Sequence, residues 1–348
     1  SELISEEVKS ALHEYLGRGG KAIFAIDVTN PESFSGSDAL WEFEHTDLGN
    51  TIGKEFIAKM NNGDTAVVVA NGYNSTNDTA NLLIVDLFDG SLIANIATGS
   101  GSAGNPNGLS SARGWDEDGD GTVDIVYAGD LLGNLWKFDL SDSNTSKWEP
   151  SFKSGSTYEP FFVAEASSGN TQPITSGVTI GLDPTQGATA GKRFVFFGTG
   201  QYLEAADQTS TDENTWYGLI DTGTQISGRT NLRERTISVE TTSSGLSVRA
   251  FSPSTAGDMT GKAGWFMDLI PPSGVPLGER ILSDSTLLST ILVSSSIVPS
   301  TASCAIGGSG YVNALNAYTG GSLDSAFFDV NNDNLFSPDP YYQQGGDM

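Results

Sequence analysis

The stretch Trp115 to Gly129, WDEDGDGTVDIVYAG, decides how this chain is read. Asp116, Asp118, Asp120 and Asp124 stand at positions 1, 3, 5 and 9 of a loop, and Thr122 holds position 7, where a backbone carbonyl can turn inward. Gly119 and Gly121 permit the sharp bend between them. Alternate carboxylates on a tightly curved backbone converge as hard oxygen donors, the set that calcium prefers. Four such groups repel one another without a cation, so ion binding and local folding are expected to be coupled. The plainer reading is an acidic surface turn, since Asp-Gly runs are common turn formers; the filling of every position in register favours the ion. A helix-loop-helix site would close with Glu at position 12, but Tyr127 stands there and Ile125-Val126-Tyr127-Ala128 reads as a strand. The loop therefore feeds a sheet.

Outward from this loop, one phrase recurs: an aromatic or apolar strand that ends in Asp or Asn and is followed by a turn. It is found at Ile23 to Asp27, Leu83 to Asp86, Leu135 to Asp139, Tyr217 to Asp221, Trp265 to Asp268 and Val312 to Asn316. Self-similarity at a period of about 50 residues points to the blades of a propeller, here about six to seven of them, with an upstream part of the ring expected to lie outside this chain. A β-sandwich also alternates apolar and polar residues, but it does not normally repeat a turn phrase at this period. The longest gap leaves room for an inserted, solvated loop, for which the Ser/Thr/Gly-rich residues 141–156 are the candidate.

The 348 residues suffice for a sizeable core. With 17 basic and 43 acidic side chains the net charge is -26, which argues against nucleic acid or an anionic membrane as a primary partner and fits a calcium-containing medium. The single cysteine, Cys304, excludes an intrachain disulfide and reads as a small buried side chain. Neither a signal peptide nor an uninterrupted apolar run of spanning length is present, so direct membrane insertion is not expected and the chain reads as a mature fragment of something larger. In residues 1–16, Ile4, Val8, Ala11, Leu12 and Tyr15 follow helical spacing and Gly17 can cap the C-terminus. A helix is expected there, with an all-β domain over residues 17–348.

Several phrases together resemble the C-terminal β-propeller domain of the PilC/PilY family of type IV pilus tip-associated adhesins. They are Gly17-Arg18-Gly19-Gly20-Lys21 running into Ala25 to Pro31, Ala70-Asn71-Gly72-Tyr73-Asn74-Ser75, the acidic loop Asp116 to Asp124, and Tyr127 to Leu140. The likeness recurs at Phe197 to Leu203 and returns weakly near Asn313 to Gly320. What the resemblance implies is a monomeric, non-enzymatic, calcium-binding propeller outside the cell, at a pilus tip or on the bacterial surface. Its implied roles are adhesion, twitching motility and control of pilus extension and retraction, with minor pilins, the pilus tip and the host-cell surface as partners. The family's calcium ligands carry over to Asp116, Asp118, Asp120 and Asp124, with the carbonyl of Thr122. The family has a strand where residues 1–16 read as helix, and the adhesive N-terminal region of many members has no counterpart here.

A second acidic phrase offers Asp329, Asn331 and Asp333 at positions 1, 3 and 5, a carbonyl from Leu335, and Ser337 or Asp339 at the far side. A polar turn explains it equally well. His13 and His45 are the only histidines, too few for a three-histidine zinc site and without a nucleophile signature beside them. Gly198-Thr199-Gly200 lacks the lysine of a phosphate loop, and the six tryptophans read as packing residues rather than ligand platforms. Two other classes of calcium propeller remain as alternatives. A quinoprotein-type dehydrogenase often carries a vicinal disulfide that one cysteine cannot make, and an integrin-like propeller would repeat the complete acidic loop from blade to blade.

Overall fold

The strand Thr65–Ala70 shows how this protein is layered. Val68 and Ala70 pack with Leu82, Ile84, Val126, Trp136 and Phe138, whereas the intervening Val67 and Val69 pack with Ile23, Phe43, Leu83 and Val85. Successive side chains of a strand point to opposite faces, so this sheet is buried on both. The computed structural model describes residues 11–15, 19–33, 35–243, 246–300, 308–329 and 343–347. The chain divides into two compact units, Ser1–Asp130 with Trp136–Glu159, and Leu131–Leu135 with Pro160–Met348.

In the first unit, Ala11–Tyr15, Ala22–Asp27 and Ala39–Glu44 form an antiparallel three-stranded sheet. A second sheet runs in the order Leu92–Gly101, Thr79–Asp86, Thr65–Ala70, Phe56–Met60, Thr122–Val123. A third places Glu149–Pro150, Asn134–Asp139 (of which residues 136–139 belong to this unit), Ile125–Asp130 and Leu109–Trp115 side by side. The second unit holds a sheet in the order Thr179–Leu182, Arg193–Gly198, Thr215–Asp221, Gly264–Asp268, Arg233–Arg235. Its other large sheet runs Ile237–Ser243, Leu246–Phe251, Gln343–Asp347, Ser309–Asn316, Ile291–Val298, Thr286–Leu288. Among the described residues no helix is long and apolar enough to cross a membrane.

Each of the six recurring phrases is the end of a strand. In five of them the closing side chain caps the turn that follows: Asp27 accepts the Thr29 amide, Asp86 those of Phe88 and Asp89, Asp139 that of Ser141, Asp221 that of Gly223, and Asn316 those of Tyr318 and Thr319. These are Asx turns, which is why the position demands Asp or Asn. Asp268 is the exception, held by the Thr215 hydroxyl and the Arg229 guanidinium. Its strand lies beside Thr215–Asp221 in one sheet, so the phrase marks strand ends and not always separate sheets.

Two of these turns share a further device. The Trp41 indole N–H donates to the Leu87 carbonyl at 2.9 Å, and that of Trp265 donates to the Ala317 carbonyl at 2.7 Å. In both cases the acceptor follows the closing Asp or Asn by one residue, and the indole covers a glycine with φ near +70°, Gly90 or Gly320. A Cβ on Gly90 would stand 2.7 Å from the Trp41 ring, and one on Gly320 would stand 2.4 Å from that of Trp265. Each indole thereby docks one sheet onto the turn of the next within its own unit.

Two expectations need correction. Residues 11–15 of the expected helix are a strand, paired residue by residue with Ala22–Asp27 from Ala11 opposite Asp27 to Tyr15 opposite Ile23. Backbone pairing along an otherwise open sheet edge outweighs the helical spacing of a short segment, whose isolated helix would be marginal; residues 1–10 lie outside the described part. Residues 141–156 are also not a plain solvated excursion. They carry the turn Thr145–Lys147, the buried Trp148, the strand Glu149–Pro150 and half of the hairpin Phe152–Ser154 with Thr157–Glu159.

Candidate metal centre

The acidic loop is the tip of a hairpin. Leu109–Trp115 and Ile125–Asp130 pair antiparallel with Trp115 opposite Ile125, and the Asp124 amide donates to the Trp115 carbonyl at 3.1 Å. Tyr127 is fully buried in the second strand, so the position that would close a helix-loop-helix site belongs to the sheet. Between the strands, Thr122–Val123 runs parallel to Phe56–Met60 and anchors the loop on the neighbouring sheet.

Within the loop, backbone amides curl the carboxylates inward. Asp116 accepts Gly119 and Gly121 at 2.7 and 2.8 Å, Asp118 accepts Asp120, and Asp120 accepts the amide and hydroxyl of Thr122. The Thr122 hydroxyl and then its amide hold the Asp120 carboxyl below its ordinary value. Gly119 and Gly121 sit at φ +81° and +91° with open space around them, so the backbone conformation is what requires glycine there. The result is that one oxygen each of Asp116, Asp118 and Asp120 lies within 4.8 Å of the other two.

Asp124 is placed differently. Its carboxylate is buried beneath the loop, with Oδ2 accepting the Glu117 amide at 2.7 Å and Oδ1 accepting the Asn61 side-chain amide at 2.9 Å. Of the five expected ligands, the structure thus brings Asp116, Asp118 and Asp120 together, sets the buried Asp124 as the floor of the loop, and places Thr122 in the short strand beside Phe56–Met60. Asn61, on the turn that follows Phe56–Met60, escaped the sequence reading. Its only signal there is an Asn-Asn-Gly-Asp turn about 60 residues upstream of the loop. The donors are hard oxygens on a preformed curve, which suits a calcium-sized ion better than zinc or copper. Of the second acidic phrase, Asp329 is half-buried, while Asn331, Asp333, Leu335, Ser337 and Asp339 lie outside the described residues.

Other chemistry-bearing groups are engaged in structure. His45 Nδ1 accepts the Asp47 amide and its ring stacks on Phe43; the His13 side chain lies outside the described part. In the second unit a polar cavity of about 240 Å³ is lined by Gln172, Gln201, Asp207, Glu213 and Arg280 among others. The Arg280 guanidinium donates to the carbonyls of Gly278, Gln201, Asp207 and Ser210, and Asp207 accepts Gln201, Leu203 and Glu204. These groups tie loops to one another.

The sequence pattern of the PilY1 β-propeller domain matches residues 4–248, more than half of the chain. The chain belongs to the PilY1 β-propeller family. A type IV pilus biogenesis factor PilY1 homolog of Xylella fastidiosa is 38% identical over 328 residues, covering 93% of this chain and 25% of that protein. The type IV pilus biogenesis factor PilY1 of Pseudomonas aeruginosa PAO1 is 34% identical over 349 residues, covering 90% and 29%. The chain therefore spans about a quarter of the length of these relatives. The crystal structure of the Pseudomonas aeruginosa PilY1 C-terminal domain superposes with a TM-score of 0.81 at 30% identity, covering 97% of this chain and 75% of that one. The expected all-β propeller is thereby shown. The phrases that carried the resemblance have structural work: Asn71 is fully buried and bonds the backbone of Asp47, Thr79, Asn81 and Leu109, and Asp130 is buried while accepting the Asn107 amide and the Trp136 indole.

Proposed function

We propose that this PilY1-family propeller is a calcium-dependent, non-enzymatic module of a type IV pilus biogenesis factor, acting outside the cell at the pilus tip or on the bacterial surface. The observation that carries the calcium reading is the convergence of Asp116, Asp118 and Asp120 within 4.8 Å on a loop already curled by its own amides. These three carboxylates would hold the ion, with Asp124 and the Thr122 carbonyl completing the set. The bound ion supplies positive charge that offsets the mutual repulsion of the carboxylates. The pilus reading rests on the family and on the names of the relatives. It extends to minor pilins as partners, to host-cell adhesion, and to control of twitching through pilus extension and retraction. The function is tested by Asp118→Ala in the full-length protein. At matched protein levels, surface piliation and twitching should change, with and without the retraction motor, while secretion is retained. Unchanged piliation and motility in every background, with calcium binding demonstrably lost, would leave the ion a structural staple.

A further inference from the structure

The Asn61 side chain reaches three points of the loop and its exit. Its Nδ2 donates to the Val123 carbonyl at 3.2 Å, to Asp124 Oδ1 at 2.9 Å and to the Leu140 carbonyl at 3.1 Å, and its Oδ1 lies 3.0 Å from the Thr122 hydroxyl, whose one proton it shares with Asp120 Oδ1 at 2.7 Å. This pattern fixes the orientation of the amide, because the flipped form would turn an acceptor toward three acceptors. Asn61 itself is held by a tight turn in which the Gly63 amide donates to the Met60 carbonyl at 2.9 Å and the Met60 amide to the Asp64 carbonyl at 2.8 Å.

From this geometry we infer that Asn61 is a positioning residue of the metal centre, setting the two ligands at positions 7 and 9 from outside the loop. The inference rests on the calcium reading above. Asn61 pins Asp124 Oδ1 on the side away from Glu117, so Oδ2, the oxygen that meets the Glu117 amide between Asp116 and Asp118, is the one turned toward the loop. Through its own Oδ1 it also meets the Thr122 hydroxyl, in competition with Asp120, where Thr122 begins the short strand beside Phe56–Met60. Carboxylate ligands are commonly oriented by such outer partners, and loss of one typically lowers metal affinity ten- to a hundredfold. Because the same amide bonds the Leu140 carbonyl, it also ties the end of the strand Asn134–Asp139 to the centre.

The test is calcium titration by calorimetry and by terbium luminescence sensitised through Trp115, on wild type, Asp118→Ala, Asn61→Ala, Asn61→Asp and Asn62→Ala. Each variant is also melted in excess chelator. The expected result is a dissociation constant raised ten- to a hundredfold in both Asn61 variants and unchanged in Asn62→Ala, a half-buried neighbour whose amide reaches only Asp64. A purely structural role for Asn61 predicts instead a lower melting temperature in chelator with wild-type affinity, and that outcome overturns the inference while leaving the calcium site intact. Tighter binding by Asn61→Asp would also overturn it, by making position 61 a direct ligand. Should Asn61→Ala fail to fold, the isosteric Asn61→Asp decides alone. Absence of binding by wild type removes the calcium reading and this inference together.

Discussion

The Asp124 carbonyl accepts the Leu140 amide at 2.7 Å, so the last residue of the acidic loop is bonded to the first residue beyond the strand Asn134–Asp139. The side chain of Asp124 faces the loop and Asn61, and its backbone joins the next strand of the same sheet. Order in the loop is therefore coupled to the sheet that carries Tyr127 to Leu140, one of the phrases in which the family resemblance was read.

This double engagement separates two substitutions that the sequence treats alike. Asp124→Ala should remove the calcium-dependent rise in melting temperature and also lower stability in chelator by about 1 to 3 kcal/mol, because the Asn61 amide and the Glu117 amide lose a buried acceptor. Asp118→Ala, exposed and bonded only to the Asp120 amide, should remove the rise while leaving the chelated protein near wild type. Thermal melts of both with and without calcium check this. Equal loss of stability in the two chelated variants would contradict the placement of Asp124 as the floor of the loop.

The indole-glycine device gives a prediction about folding. Gly90→Ala must accommodate both φ +72° and a Cβ 2.7 Å from the Trp41 ring, whereas Gly155→Ala, at φ +63° with nothing within 4 Å, meets only the backbone cost of about 1 to 2 kcal/mol. Denaturant unfolding should place Gly90→Ala well below Gly155→Ala. Trp41→Phe should lose about 1 kcal/mol or more through the unmade bond to the Leu87 carbonyl. Equal midpoints for the two glycine variants would show that the Trp41 contact yields freely.

Acid sensitivity should be traceable to Asp207. Burial favours its neutral form, but the Gln201 amide, the Glu204 and Leu203 amides and the charge of Arg280 outweigh this and hold the carboxyl below its ordinary value. A depressed folded value means that the stabilisation is fully present above about pH 4, the ordinary aspartate value, and is lost as pH falls through the folded value. Asp207→Asn should melt below wild type at pH 7, and the gap should narrow at pH values below about 4. A gap that stays constant to pH 3 would assign the loss to packing rather than to charge.

Much of the fold was legible because its rules are local. An Asx turn needs its Asp or Asn at a fixed offset, so Asp27, Asp86, Asp139, Asp221 and Asn316 announced strand ends, and the alternating runs between turns announced strands. The acidic loop was legible for the same reason, since Gly119 and Gly121 shape it within a few residues. What escaped depends on distant partners. Ala11–Tyr15 is a strand because Ala22–Asp27 lies beside it, Asp268 departs from its fellows because Arg229 reaches it, and Asn61 matters only once the chain has brought its turn under Asp124. Helical spacing in a short segment could not compete with an open sheet edge.

Calcium binding by the loop Asp116 to Asp124 is measured by calorimetric titration of calcium into the chelator-stripped wild-type chain and into Asp118→Ala, under identical buffer. Wild type is expected to give a saturable binding isotherm that is missing a site in Asp118→Ala, with magnesium failing to reproduce it at equal concentration. Identical isotherms for the two proteins, or no heat of binding in the wild type, would contradict it.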